Sequence, residues 1–199
     1  TLPPVVPSIF RKPIEPKKLL VNIITSDQRI ANRITKTFYW KYPMYKFISF
    51  VDLRNRPREE FAEKLREGAI TIWVDNDTPF GHSAVEAIAC DNILIGKVPE
   101  MVPEWMIDED GGLNDCGIWT YDINVIPDLL ANVVGAWMQD MVPEQLTNAM
   151  NDVNTKYTTE KWEENVDEVM STIINEQIKS FEQIKNSIKQ KITNETKED

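Results

Sequence analysis

Cysteine and histidine, the residues that build disulfide scaffolds and zinc sites, are scarce in this chain. The two cysteines, Cys90 and Cys116, lie 26 positions apart with no CxxC pattern and no histidine cluster near them. This spacing argues against a disulfide framework and against a structural zinc site. The single histidine is His82. We therefore expect no bound metal and no cofactor, and the cysteine usage favours a reducing, cytoplasmic setting.

Long apolar runs are also missing. No stretch approaches the roughly 18 consecutive apolar residues that a membrane-spanning helix needs, and the first residues, TLPPVVPSIFRKP, lack the apolar core of a signal peptide. We therefore expect neither a membrane span nor secretion. The chain begins with Thr1, from which we expect a processed chain or a piece of a longer protein.

The net charge of −10 is unevenly distributed along the chain. Residues 1–50 contain nine basic and two acidic side chains, whereas residues 51–154 contain six basic and twenty acidic ones. An acidic protein repels nucleic-acid phosphates, so nucleic-acid binding is disfavoured. The basic first quarter is too small for a duplex but suits a phosphorylated small molecule.

Proline content and the spacing of apolar residues divide the sequence into three regions. Residues 1–17 hold five of the twelve prolines and predict an extended linker that contributes nothing to a core. Residues 18–157 predict one α/β domain. Residues 158–199 predict a long amphipathic helix, with apolar side chains three or four positions apart, and a polar tail. The helix packs along the domain or against a neighbour, or forms a self-associating coiled coil.

Strands and helices alternate through residues 18–157. Apolar, branched runs predict strands at KKLLVNIITSD, MYKFISFVDL, AITIWVD, NILIGKV and GIWTYD, with helices between them. This alternation predicts a Rossmann-like parallel sheet with helices on both faces, and ligands bind such sheets at the carboxyl ends of the strands. We interpret the acidic stretch 99–116 as a flexible, solvated loop over that cleft rather than a calcium site.

The segment AITIWVDNDTPFGHSAVEAIAC carries the clearest functional signal. A strand ends in a turn, Gly81 lets a phosphate approach the backbone, and a helix begins at His82 and Ser83. The first N–H groups of a helix lack intrahelical acceptors and bind anions. Glu86 follows about one turn later, where its carboxylate suits the hydroxyls of a ribose.

The order of a strand, x-P-F-G-x-x-x-x-E-A-x-A and an apolar strand resembles the nucleotide-sugar-binding C-terminal domain of retaining GT-B glycosyltransferases. The resemblance covers roughly residues 18–178. It implies a nucleotide-diphosphate sugar as ligand, no metal, and nucleotide contacts from Phe80, Gly81, His82, Ser83 and Glu86.

Two parts of the family pattern are altered here. The family has two acidic residues separated by seven positions; the second, on the ribose, matches Glu86, whereas the first, on the sugar, falls on Thr78. Asp77 or Asp75 could substitute with a small shift, so the resemblance implies Asp77 and Thr78 on the donor-sugar side. The basic pair that neutralises the diphosphate would be Arg29 and Arg33, without the expected glycine and spacing.

Three functions compete on this reading. The first is a donor-binding domain that transfers sugar to an acceptor held by a missing N-terminal domain or a partner protein, and that is inactive alone. The second is a non-catalytic Rossmann-like module that assembles through the C-terminal helix. The third is a flavodoxin-like or receiver domain, which the missing acidic phosphoacceptor arrangement after the first strand disfavours. The residues leave the base, the sugar and the acceptor undetermined.

Overall fold

A computed structural model describes residues 4–75, 78 and 80–195. The chain divides into two compact units. One is the α/β unit Val6–Thr158, and the other contains the long C-terminal helix. Each unit is considered by itself below.

Five parallel strands form the sheet of the α/β unit. They are β1 (Lys18–Thr25), β2 (Ser49–Asp52), β3 (Gly68–Val74), β4 (Ile93–Lys97) and β5 (Ile118–Thr120), in the order β2-β1-β3-β4-β5. Every neighbouring pair is parallel, which confirms the predicted parallel sheet. Every residue of β3, in the middle of the sheet, is buried, which explains its continuous apolar run.

Five helices surround this sheet. They are α1 (Gln28–Lys41), α2 (Arg58–Glu67), α3 (His82–Ala89), α4 (Ile126–Met138) and α5 (Glu144–Lys156). Right-handed crossovers place α1 on the face opposite α2 and α3, because β2 and β3 lie on opposite sides of β1. Accordingly, α1 packs against α4, and α3 packs against α5. The separate helix α5 was not predicted from the sequence.

The strand order fixes where a ligand can enter. The chain leaves β1 toward β2 on one side, whereas β3 lies on the other side of β1. Such a reversal opens a crevice between the carboxyl ends of the two central strands. The same five-strand order occurs in flavodoxin-like domains. In this chain the rule places the crevice at the carboxyl ends of β1 and β3.

A buried asparagine ties the sheet to α2 and α3. Asn92 Nδ2 donates to the carbonyl oxygens of Leu65, at 2.7 Å, and Ala87, at 3.1 Å. The Thr71 hydroxyl donates to Asn92 Oδ1 at 3.0 Å. A buried polar group costs free energy unless it is hydrogen-bonded, so this satisfied side chain fixes the ends of both helices on β3.

The N-terminal segment packs on the α/β unit. Phe10 is only 4% exposed and meets the Phe61 ring edge-on, with centroids 6.0 Å apart. The Val6 N–H donates to the Tyr157 carbonyl at 2.9 Å. Lys17 Nζ donates to two carbonyls at the end of α2, and burial lowers the pKa of Lys17 to about 8. The expectation that residues 1–17 contribute nothing to the core is therefore wrong at Phe10.

The acidic stretch 99–116 also differs from its prediction. Trp105, Met106 and Cys116 are buried, and the Asn114 side chain donates to the Trp105 carbonyl at 2.7 Å. The tip, residues 107–112, is exposed throughout. The interpretation as a flexible loop was wrong for the base of the stretch because its apolar residues belong to the core. No cluster of three or more potential metal ligands occurs among the described residues.

The second unit contains one helix, α6 (Thr159–Glu195), 37 residues long. From Val169 to Ile184 its apolar side chains are solvent-exposed, between 44% at Val169 and 72% at Phe181. The predicted long amphipathic helix is confirmed. Among the described helices, none has the length and apolar character needed to cross a membrane.

Candidate functional site

The candidate site begins where β3 ends. Gly81 precedes α3 with φ 69° and ψ 44°, in the left-handed region that favours glycine. A Cβ atom at this position would lie 2.8 Å from Cζ2 of the buried Trp73. The conformation and the neighbouring indole both require glycine here, a reason that the sequence did not reveal. The Trp73 indole N–H is buried and has no hydrogen-bond partner among the residues that the structure describes.

The first turn of α3 is open to a ligand. The N–H groups of Ala84 and Val85 donate to the Gly81 carbonyl at 2.9 and 3.4 Å. No side-chain hydrogen bond caps the helix and no acidic residue lies in its first turn, as far as the described residues show. The N–H groups of His82 and Ser83 precede those that bond within the helix. With the positive end of the helix dipole, they can bind an anion.

Glu86 lies one turn further along α3 and forms an ion pair with Arg58, the first residue of α2. Arg58 Nη1 donates to Glu86 Oε2 at 3.1 Å, and Nη2 donates to Oε1. The Glu86 side chain is 2% exposed and that of Arg58 is 50% exposed. Burial raises the pKa of Glu86 above its ordinary value, and the charge of Arg58 opposes that rise. Solvent therefore reaches this ion pair through the half-exposed side chain of Arg58.

One aromatic ring contacts the ion pair between Arg58 and Glu86, and others pack around the turn before α3. The Arg58 guanidinium carbon lies 4.6 Å from the centre of the Phe10 ring, a cation–π arrangement. The Phe80 ring lies 4.8 Å from that of His82 and 5.3 Å from that of Tyr157. The Trp105 indole N–H donates to the Phe80 carbonyl at 2.6 Å. These contacts hold the turn before α3 against the core.

His82 is exposed and its ring contacts that of Phe80. Partial desolvation lowers the pKa of His82, and the positive charge of Arg58 lowers it further. An imidazole with a lowered pKa is neutral at pH 7. It can donate or accept one hydrogen bond, but it carries no positive charge toward an anion until a negative ligand restores its basicity.

On the predicted donor-sugar side, Thr78 is exposed and its hydroxyl donates to Asp75 Oδ2 at 3.0 Å. A carboxylate therefore contacts the position where the family has an acidic residue. Asp77, the other predicted residue of this group, lies outside the described residues. The sugar-side role of Asp77 and Thr78 stays a prediction.

The predicted diphosphate pair lies on α1. Arg29 is 92% exposed and binds both carboxylate oxygens of Asp27, the residue that caps α1. The side-chain and backbone hydrogen bonds from Arg29 lower the pKa of Asp27. Arg33 is exposed one turn further along the helix. The structure does not bring these two residues to Glu86, and their diphosphate role stays a prediction.

Sequence reasoning missed Arg58. The available signal was the alternation of Arg54, Arg56 and Arg58 directly after β2, at the carboxyl edge of the sheet. Arg54 pairs with Asp52, and Arg56 pairs with Glu60 in α2. Arg58 alone of the three pairs with α3, and a contact across 28 residues leaves no local pattern in a sequence.

A cavity of about 430 Å³ lies at the opposite, amino-terminal edge of the sheet. The N-terminal segment and α2 line it, from Arg11 to Pro16 and from Glu63 to Glu67. Its cations are paired locally, as in Lys18 with Glu67 and Lys64 with Glu67. The carboxyl edge is favoured as the site because the strand order opens a crevice there.

Comparison with known proteins identifies the fold. No family model matches the chain, and neither does any curated protein sequence. Similar solved structures include the GtfA/B complex, with a TM-score of 0.53 and 14% identity, covering 82% of this chain and 38% of that one. They also include TarM, with a TM-score of 0.54 and 16% identity, covering 81% of this chain and 36% of that one. A third is the pneumococcal O-GlcNAc transferase GtfA in complex with UDP and GlcNAc, with a TM-score of 0.52 and 12% identity, covering 81% of this chain and 38% of that one. These are GT-B glycosyltransferases. The chain thus spans less than two-fifths of their length, and the likeness confirms the Rossmann-like GT-B domain fold.

Replacing Arg58 by Met tests the electrostatics of the pair. We expect the pKa values of both Glu86 and His82 to rise, because the arginine lowers both. In this variant the folded protein binds the Glu86 proton more tightly than the unfolded chain does. The variant is therefore less stable than the wild type at neutral pH, and this loss disappears as pH falls through the pKa of Glu86 in the folded protein. The expected loss at pH 7 is about 1–3 kcal/mol, reduced by the exposure of Arg58. Urea unfolding from pH 4 to 8 measures it.

Arg29→Met is the control, since Asp27 is the one ion-pair partner of Arg29 within the described part of the chain. The single histidine makes the titration of His82 by proton NMR unambiguous. A variant whose His82 pKa equals that of the wild type, or whose stability loss is the same at pH 4 and pH 7, would contradict this description of the pair.

Proposed function

We propose that this chain is the donor-binding domain of a GT-B glycosyltransferase and binds a nucleotide-diphosphate sugar at the carboxyl edge of its sheet. One observation carries the proposal. A helix start without a side-chain cap and an almost fully buried carboxylate lie one turn apart on α3, beside the crevice. An anion site and a hydroxyl acceptor at that distance match a diphosphate and its ribose. A structure with the same fold was determined with UDP and GlcNAc.

The diphosphate would lie against the backbone N–H groups of His82 and Ser83, with Phe80 beside it. Glu86 would accept hydrogen bonds from ribose hydroxyls. Each of its oxygens already accepts one bond from Arg58. A carboxylate has about four acceptor positions, so two remain for a ligand.

Transfer breaks the bond between the anomeric carbon of the sugar and a diphosphate oxygen, and negative charge develops on the diphosphate. Donors already aimed at that charge stabilise the transition state more than the ground state. The start of α3 supplies such donors without reorganisation. The sugar would extend toward Thr78 and Asp75, whose contact provides a carboxylate and a hydroxyl as hydrogen-bonding groups.

This unit would not catalyse transfer alone. The chain corresponds to 36–38% of each solved chain it resembles. We propose that a further domain or a partner protein holds the acceptor. One of the similar structures is a complex of two components, GtfA and GtfB.

Calorimetric titration with UDP-, GDP- and ADP-sugars tests the proposal. One of them should bind saturably. Glu86→Gln should weaken that affinity by roughly 10-fold or more, because hydrogen bonds to a charged acceptor contribute about 1.5–3 kcal/mol each. Glu59→Gln is a matched control, since Glu59 is exposed in the first turn of α2. The proposal fails if no nucleotide-diphosphate sugar binds at millimolar concentration, or if both variants bind equally well.

A second function is favoured by the exposure of α6. Val169, Ile173, Ile178 and Phe181 present apolar surface to solvent along one helix. Exposed apolar patches of this kind mark interaction sites. We propose, as the alternative, a non-catalytic module that assembles through this helix.

Sedimentation velocity of the full chain distinguishes this alternative. If α6 mediates assembly, the wild type sediments as an oligomer and Phe181→Asp shifts it toward the monomer, because a charge opposes burial at that position. Glu182→Gln, one residue away and exposed, should leave the oligomer intact. A monomeric wild type at micromolar concentration counts against assembly.

A further inference from the structure

We propose that Arg58 is the cation that binds the diphosphate, and that Glu86 holds its guanidinium in place for that contact. This inference rests on the proposed function. It assigns the charge-neutralising role to α2 rather than to Arg29 and Arg33 on α1.

The first argument is the number of free donors. A guanidinium has five N–H groups. Two of those on Arg58 bind Glu86, and no other hydrogen bond of its guanidinium occurs among the described residues. Half of the side chain faces solvent although its partner is buried. The free donors therefore lie on the open side of the pair, where planar guanidinium groups bind phosphate through paired hydrogen bonds.

The second argument is preorganisation. The face of the guanidinium packs on Phe10, whose ring is itself buried and in contact with Phe61. This packing and the two bonds to Glu86 fix the plane of Arg58 before any ligand binds. A side chain that is already ordered loses little conformational entropy when it binds a ligand.

The third argument comes from the other arginines near this edge. Arg29 has both of its carboxylate contacts in Asp27, only two residues away. Arg54 binds Asp52 and Gln28, and Arg56 binds Glu60 and the Asp52 carbonyl. None of these partners belongs to α3. Arg58 is connected to α3 directly through Glu86.

Binding of a nucleotide is compatible with the intact ion pair. Ribose hydroxyls can donate to the acceptor positions of Glu86 that Arg58 does not occupy, while the guanidinium N–H groups that do not bind Glu86 donate to the phosphate oxygens. Because Arg58 and Glu86 stay paired, neither charge is left buried and unpaired, which would be strongly unfavourable. No bond forms or breaks covalently in this step.

A series of ligands with increasing phosphate number tests the assignment. Calorimetry measures uridine, UMP and UDP binding to the wild type and to Arg58→Met, with the guanosine and adenosine series in parallel. For the wild type, affinity should rise with each phosphate. Arg58→Met should lower diphosphate affinity by about tenfold or more, since a charge-assisted bond is lost, while nucleoside affinity changes by less than about twofold. Arg29→Met should keep the full increase in affinity from nucleoside to diphosphate.

Two further variants separate binding from folding. Arg58→Lys keeps the positive charge and should retain part of the increase in affinity from nucleoside to diphosphate. The double variant Arg58→Met, Glu86→Gln has no buried carboxylate without a cation, so it tests the diphosphate contact apart from that charge. Its affinity should also increase little from nucleoside to diphosphate. Thermal unfolding verifies that each variant is folded.

The outcomes are distinguishable. If the wild type binds a nucleoside diphosphate and the Arg58 variants keep the full rise, or lose affinity equally for nucleoside and diphosphate, the inference is wrong and the proposed function stands. If the wild type binds none of the nine ligands at millimolar concentration, both are wrong.

Discussion

The ion pair between Arg58 and Glu86 is the contact on which the candidate site depends. It joins the first residue of α2 to the second turn of α3, and through Phe10 it also holds the N-terminal segment. Such pairs contribute little net stability, because desolvation offsets their attraction. Their effect here is positional: an ionisable carboxylate is held beside a helix start without exposure to bulk water.

The remaining geometry follows from the sheet. Because β1 and β3 are adjacent and their connections leave in opposite directions, a crevice opens at their carboxyl ends. The left-handed Gly81, which lies against Trp73, turns the chain from β3 into α3 at this crevice. Asn92 fixes the far end of α3 through buried hydrogen bonds. A helix anchored at both ends keeps its N-terminal donors in a fixed direction.

Much of this was predictable from local patterns. Branched apolar runs identified the five strands, and the alternation with helices identified a parallel sheet. The turn and helix around Gly81 followed from residue types at fixed spacing. The burial of Phe10 and the pairing of Arg58 did not follow, since they join segments 48 and 28 residues apart. Proline content alone described residues 1–17 as a linker, and no local pattern singled out Arg58, because local sequence carries no information about such contacts.

The central claim is that an anionic nucleotide binds at the start of α3, and the single histidine reports on that position directly. Proton NMR of His82 during titration with UDP, GDP and ADP measures it. The account predicts a saturable shift of the imidazole proton signals with one of these ligands, and a raised His82 pKa in the complex, because a nearby negative charge stabilises the imidazolium. Signals and a pKa that stay unchanged at millimolar concentrations of all three ligands would contradict the account.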